Sequence, residues 1–393
     1  MRTPLAWKNL TSSLSKCALA ATGVGFAVVL MFMQLGFQKA LIDNNVQVLT
    51  LFDSKVANLA VVSRARYNVS TEQRFSRRQL EYMKSWPGIS ASCAVSIERG
   101  ASRVQVAGFA AKPIRVIAIE LGAPEFLAKP GLHAQLLKAD SSESAIVDAR
   151  SKSFYRFGRS SDQLQQQWIE LNDMVIPVQD TFSLGTDFGN DGTLLMSERV
   201  HASYFPYRNP FGKANDVVDI GFLHADTDDL SELRGLAKQM EASSSEVIKV
   251  IPTVDLIQEE KEFWAKQTPV GKIFLIGLVM GLFVGAIICY QIQFTDITDH
   301  MPEFATLKAM GYGPWYFWSL ILWQSFYLAC LGFLPGIAVA QGLYLVLGQV
   351  SGLIMEMDLW QVLQVFSLTL IMCALSGALA IRKLFNADPA NLF

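Results

Sequence analysis

Charge is scarce in this chain. Only 17% of its 393 residues are Asp, Glu, Lys or Arg, against about 25% in soluble domains. The deficit is local, because several windows hold almost no charge while the rest is ordinary. The formal net charge is −2, without the basic stripe that a nucleic-acid binder would show. Cysteine is sparse too: Cys17, Cys93, Cys289, Cys330 and Cys373. Four lie in or beside apolar runs, and Cys93 alone lies in the soluble part, so that part holds no internal disulfide. The spacing fits no CxxC or zinc pattern, and the five are read as small apolar residues packed in the bilayer.

Chemical motifs are missing as well. There is no GxxxxGK[ST] for ATP, no HExxH, no GxSxG, and no SxxK with its partner motifs. His133, His201 and His224 are far apart, and Asp187, Asn190 and Asp191 sit in a Gly-rich stretch without an EF-hand pattern. The expectation is a protein without a metal, a cofactor or an ATPase site of its own. The apolar runs carry no charge at their centres, which argues against an ion-coupled transporter.

Four windows are long enough to cross a bilayer, which takes about 20 apolar residues as helix. The expected fold is an α-helical membrane protein with four transmembrane helices plus a large mixed α/β extracytoplasmic domain between helices 1 and 2. The boundaries are a cytoplasmic interfacial helix at 1–16, spans at 17–37, 270–293, 315–347 and 362–384, the α/β domain with a helical stalk at 38–269, a cytoplasmic loop at 294–314, a short outer loop at 348–361 and a tail at 385–393. The third window is long for one span. One helix kinked at Pro335 and two re-entrant pieces both fit its hydropathy, but two pieces would leave unpaired backbone in lipid. The first window is too long for a signal-peptide core and no small-x-small site follows it, so it reads as a retained anchor. Arg2, Lys8 and Lys16 flank the first span and Arg382 and Lys383 end the last, while 348–361 has no Lys or Arg. Both termini are therefore expected in the cytoplasm. Leu5, Trp7, Leu10 and Leu14 near one helical face suit an interfacial helix; an ordinary positive flank is the alternative.

Between spans one and two the pattern is mixed. Residues 94–109 alternate on both sides of a Gly-containing turn and read as a hairpin. Residues 112–121 read as a strand. Residues 217–225, 226–243 and 246–252 read as strand, helix, strand, with Asp226–Asp229 offering N-caps. FSRRQLEYMKSW (75–86) reads as a basic amphipathic helix with a solvated face. SLGTDFGNDGTLL (183–195) reads as turns or a surface loop. In span two, Gly277, Gly281 and Gly285 recur every four residues and clear a stripe for close helix contact.

The connector TDITDHMPEFATLKAMGYG (295–313) is the most informative segment. Thr298 or Asp299 can cap a short helix, Pro302 suits its first turn, and Gly311 and Gly313 can stop it. Phe304, Leu307 and Met310, three apart, leave an apolar face for a partner or for the membrane.

This connector, the preceding TPVGKIFLIGLVMGLFVGAIICYQIQ and the N-terminal TPLAWKNLTSS and GVGFAVVLMFMQLGFQKAL resemble the DevC-type permeases of ABC exporters, within the wider MacB/FtsX-like permease family. The resemblance implies a homodimer in the cell inner membrane working with a separate P-loop ATPase, a membrane fusion protein and an outer-membrane channel. It implies mechanotransmission, in which ATPase motion passes to the domain outside. On the family's pattern the ATPase-coupling residues here would be Asp299, His300, Glu303, Phe304, Thr306, Leu307, Lys308 and Met310. An FtsX-like regulator, which moves a partner outside without transport, is the alternative reading.

Overall fold

The computed structural model describes residues 7, 14–69, 71–106, 108–129, 131–157, 168–187, 189–208, 216–244 and 247–386. The expected interfacial helix at 1–16 falls almost wholly outside them. Two compact units emerge, one of residues 1–39, 269–346 and 355–393, the other of residues 40–268 and 347–354.

The first unit is built on four long helices: α1 (Leu14–Val46), α7 (Pro269–Asp299), α9 (Pro314–Ser351) and α10 (Leu359–Asn386). All four carry stretches long and apolar enough to cross a membrane. The third window is one helix of 38 residues that continues through Pro335. At 1.5 Å per residue it is about 57 Å long, well beyond a bilayer core. The short helix α8 (Met301–Ala309) joins α7 to α9.

Small residues set the helix spacing. A Cβ on Gly332 of α9 would sit 2.5 Å from the Val24 Cβ of α1, and one on Gly336 would meet Val28 at 2.8 Å. Only a bare backbone fits at this crossing. The stripe on α7 is used unevenly. A Cβ on Gly277 would meet Gln34 at 2.6 Å and one on Gly285 would meet Met372 at 2.5 Å, whereas Gly281 has Leu30 at an ordinary 3.7 Å. Buried polar side chains pair across helices: Gln361 Nε2 donates to Tyr344 Oη at 2.7 Å, Ser325 Oγ to Gln293 Oε1 at 2.9 Å, and Gln293 Nε2 to the Cys373 carbonyl at 3.0 Å.

The second unit is a mixed α/β domain. Its strands are β1 (Leu59–Ser63), β2 (Phe75–Ser76), β3 (Ile89–Glu98), β4 (Arg103–Val106), β5 (Lys112–Pro113), β6 (Arg115–Ile119), β7 (Ala145–Asp148), β8 (Trp168–Leu171), β9 (Met174–Phe182), β10 (Thr193–Ser197), β11 (Val217–Val218), β12 (Ile220–Ala225) and β13 (Ile248–Pro252). Eleven of them form one sheet in the order β13-β1-β12-β3-β6-β10-β7-β9-β8-β4-β5. The pairs β6/β10 and β7/β9 are parallel. The helices are α2 (Arg77–Lys84), α3 (Leu132–Ser141), α4 (Glu198–Tyr204), α5 (Leu230–Ser243) and α6 (Thr253–Glu262).

The central strands are buried along their whole length, as strands covered on both faces must be. Their side chains alternate between two sides. In β6, Ile117 and Ile119 join the core that holds α3, while Val116 and Ala118 join the core that holds Val200 of α4. In β1, Ala60 and Val62 point to the first core, and Leu59 and Val61 pack with α2 and α5.

The run 217–252 is strand, helix, strand as expected, and Asp229 caps α5 by accepting from the Ser231 N–H at 2.7 Å. Other expectations change. β1 is inserted between β12 and β13 and is antiparallel to both. The hairpin expected at 94–109 does not form. β3 pairs with β12 and β6, and β4 with β5 and β8. Alternation shows that both segments are strands but does not choose their partners. The stretch 183–195 is not a surface loop either: Leu184, Thr186, Asp187 and Asn190 are buried, and Thr193 starts β10. α6 and α7 are separate helices. A π-helical turn at Phe263–Gln267 leads to Thr268, which is extended (ψ 149°) because Pro269 follows it.

Candidate functional site

The connector 294–314 differs in detail from its expected form. α7 stays helical through Asp299, so neither Thr298 nor Asp299 caps α8. Thr298 Oγ1 instead donates to the Phe294 carbonyl one turn back, at 2.7 Å, and Asp299 accepts from Lys16 Nζ at 2.7 Å. His300 takes the N-cap position without a side-chain cap bond, and its Nδ1 lies 2.9 Å from the Asp296 carbonyl. Pro302 occupies the first turn. At the other end Met310 is the C-cap and Gly311 has φ +90°. The Gly311 N–H bonds to Lys308 O at 3.1 Å and the Tyr312 N–H to Leu307 O at 3.2 Å. That double bond is the Schellman stop, and its left-handed residue requires glycine.

Nine residues are too few to hold a helix unaided, so packing must hold α8. Met301, Phe304 and Ala305 are buried. Phe304, 1% exposed, meets Phe317 edge-on at 6.2 Å among Ile297, Leu320, Ile321, Ala380 and Ile381. Phe304 therefore does not share an outward apolar face with Leu307 and Met310. Leu307 is half-buried and Met310 is 63% exposed. The residues that α8 shows to solvent are Pro302, Glu303, Thr306 and Ala309, followed by its C-cap Met310, with Lys308 half-buried. Thr306 Oγ1 returns to the Pro302 carbonyl at 2.9 Å.

A second feature escaped the sequence reading. Asn44 Nδ2 donates to the Ile354 carbonyl at 3.3 Å, and the Ile354 N–H donates to Asn44 Oδ1 at 3.2 Å. Gln47 Nε2 donates to the carbonyls of Gly185 and Thr186, at 3.2 and 2.9 Å. Thr186 Oγ1 donates to the Ser351 carbonyl at 3.1 Å. Three segments are thus bound into one buried polar joint in the α/β unit: the end of α1, the loop before β10, and the loop after α9. The available signal was LIDNNVQ, three amides in four residues at the end of an apolar helix.

Other polar groups of the α/β unit that the structure describes are engaged in packing contacts. Among the described residues no three His, Cys, Asp or Glu side chains group as metal ligands. Asp187 is spent on Arg115, Gly189 N–H and Asn190 Nδ2. Arg208 lies buried between Glu98 and Asp219. Burial raises the Glu260 carboxyl above its ordinary value, against hydrogen bonds from the Val69 N–H and the Trp264 indole. His133 and His224 each bond a backbone carbonyl, of Leu121 at 3.0 Å and of Val56 at 2.8 Å.

Residues 275–389, from α7 through α8 and α9 into α10, match the FtsX-like permease C-terminal family. That segment is similar to the C-terminal domain of FtsX-like permeases. Members of that family are permease subunits of ABC transporters and have no ATPase site. Two solved structures are similar at low identity. The periplasmic region of MacB from Actinobacillus actinomycetemcomitans is 10% identical, covering 52% of this chain and 92% of that one, with a TM-score of 0.34. The extracellular domain of the noncanonic ABC-type transporter YknZ from Gram-positive bacteria is also 10% identical, covering 49% and 100%, with a TM-score of 0.32. No curated protein matches the sequence. The matched segment includes the whole of α8 and most of the helices that pack it.

Proposed function

We propose that this chain is the transmembrane subunit of an ATP-driven ABC exporter and that α8 is the docking point of a separate P-loop ATPase. One observation carries the reading. The family match spans a short helix that is bolted inward by Phe304 and shows Glu303, Thr306 and Met310 outward. A helix held on one side and exposed on the other transmits a push instead of absorbing it. Asp299 and His300 mark its start, Leu307 and Lys308 its flank.

The proposed topology follows from Arg2, Lys8, Lys16, Arg382 and Lys383: both termini and α8 in the cytoplasm, the α/β domain outside. ATPase motion at α8 would then reach the outside by mechanotransmission, and the joint of Asn44, Gln47 and Thr186 would deliver it to the α/β domain. A homodimer, a membrane fusion protein and an outer-membrane channel complete the proposed assembly on the DevC-type resemblance alone.

The test is ATPase stimulation in vesicles that hold this chain and its co-purifying ATPase. Glu303→Lys combined with Leu307→Asp is expected to abolish both ATPase binding and stimulation. Unchanged stimulation in that variant would refute the coupling role. Stimulation without transport of any vesicle or fusion-protein cargo would assign the FtsX-like regulator function instead.

A further inference from the structure

The membrane unit contains a pocket of about 550 Å³ between the first half of α1, the second half of α7 and one turn of α9. Its size is that of a small-molecule or lipid-chain site. One wall is apolar: Leu19, Phe26, Ile288, Ile292 and Leu328. The other end is polar and holds Lys16, Asp296, Asp299 and Gln324. Leu19 is 73% and Phe26 is 55% exposed, so the apolar wall reaches the outside of the bundle. The pocket is therefore amphiphilic and open on the side where the bilayer lies.

Charge selects the head group. Among the described residues one ammonium faces two carboxylates, and that ammonium is already taken: Lys16 Nζ lies 2.7 Å from Asp299 Oδ2. Asp296 has an amide donor in Gln324 and His300 Nδ1 at 3.6 Å. A purely anionic head would meet an excess of negative charge, and a hydrocarbon alone would leave the polar end unfilled. An ammonium completes it.

We infer that this pocket binds a bilayer lipid with an amine-bearing head, the ammonium on Asp296 and one acyl chain along Leu19, Phe26, Ile288, Ile292 and Leu328. The site lies at the end of the bundle that carries α8, since Asp296 and Asp299 close α7 immediately before it. The inference needs the chain to be in a membrane; it does not depend on ATPase docking.

Native mass spectrometry of the full chain in detergent tests it, with equimolar phosphatidylethanolamine and phosphatidylglycerol of identical acyl chains as probes. The wild type is expected to retain one lipid per chain, with a preference of about tenfold for the ethanolamine head, the value of one charge-assisted hydrogen bond. Asp296→Asn removes the preference while a lipid is still retained. Leu19→Trp, at an exposed position, fills the mouth and lowers retention of both lipids. Equal retention of both heads by the wild type overturns the inference, and so does undiminished retention in the Leu19→Trp variant. A Leu19→Trp variant that loses a dimer and keeps its lipid would assign the pocket to a second copy of the chain and likewise overturn it.

Discussion

Replacing Phe304 by Ala separates holding α8 from touching a partner. The ring is 1% exposed and sits edge-on to Phe317 at 6.2 Å. Truncating a buried Phe to Ala costs about 3–5 kcal/mol, of which the aromatic pair supplies about 0.5–1.5. The low end applies, because one side of the lost contact is a helix of nine residues that can relax. A loss of about 3 kcal/mol weakens α8 itself, since so short a helix has no independent stability. The four long helices keep their own contacts. The expected result is that backbone amides of residues 301–310 lose about a hundredfold in hydrogen-exchange protection, while those of α9 and α10 are unchanged. Thr306→Ala, which removes an exposed hydroxyl, shifts protection by less than about threefold. In the reconstituted system Phe304→Ala should also lose ATPase stimulation with Glu303, Thr306 and Met310 all intact. Unchanged protection in Phe304→Ala, or an equal loss in Thr306→Ala, would show that α8 is held by something other than this packing.

Asp187→Asn leaves the fully buried Arg115 without its countercharge; it should cost about 3–5 kcal/mol and lower the thermal midpoint of the full chain in detergent. Gly332→Ala puts a Cβ 2.5 Å from that of Val24 and should destabilise the bundle by about 1–3 kcal/mol, whereas Gly281→Ala, with 3.7 Å to spare, should be near neutral in the same melt. Asp358 caps α10 by accepting from the Gln361 N–H at 2.9 Å, so Asp358→Ala should cost about 1 kcal/mol. Glu260 has a folded-state pKa raised by burial above its ordinary 4.5. The folded state then holds its proton to higher pH, so stability falls as pH rises from about that ordinary value through the folded one. A Glu260→Gln chain should show a flatter melting-point profile over that window.

Local pattern was sufficient for what depends on neighbours in sequence. Apolar runs of about 20 residues determine helices long enough to cross a bilayer. Alternation marked the strands at 94–98 and 112–119, and Gly311 marked the end of α8, because a left-handed turn has one cheap residue. Partner choice is a different matter. Whether β3 pairs with β4 or with β12, and whether SLGTDFGNDG is a surface turn or the buried counterpart of Arg115, depends on segments far away in sequence. Spacing by three placed Phe304, Leu307 and Met310 on one apolar face; packing turned Phe304 into the bundle and left Met310 outside. The same holds for the lipid pocket, where Lys16 and Asp299 meet across a separation of 283 residues. Periodicity reports which side chains share a face of their own element. Only the tertiary structure decides what that face meets, because contact energies are summed over elements that the chain brings together last.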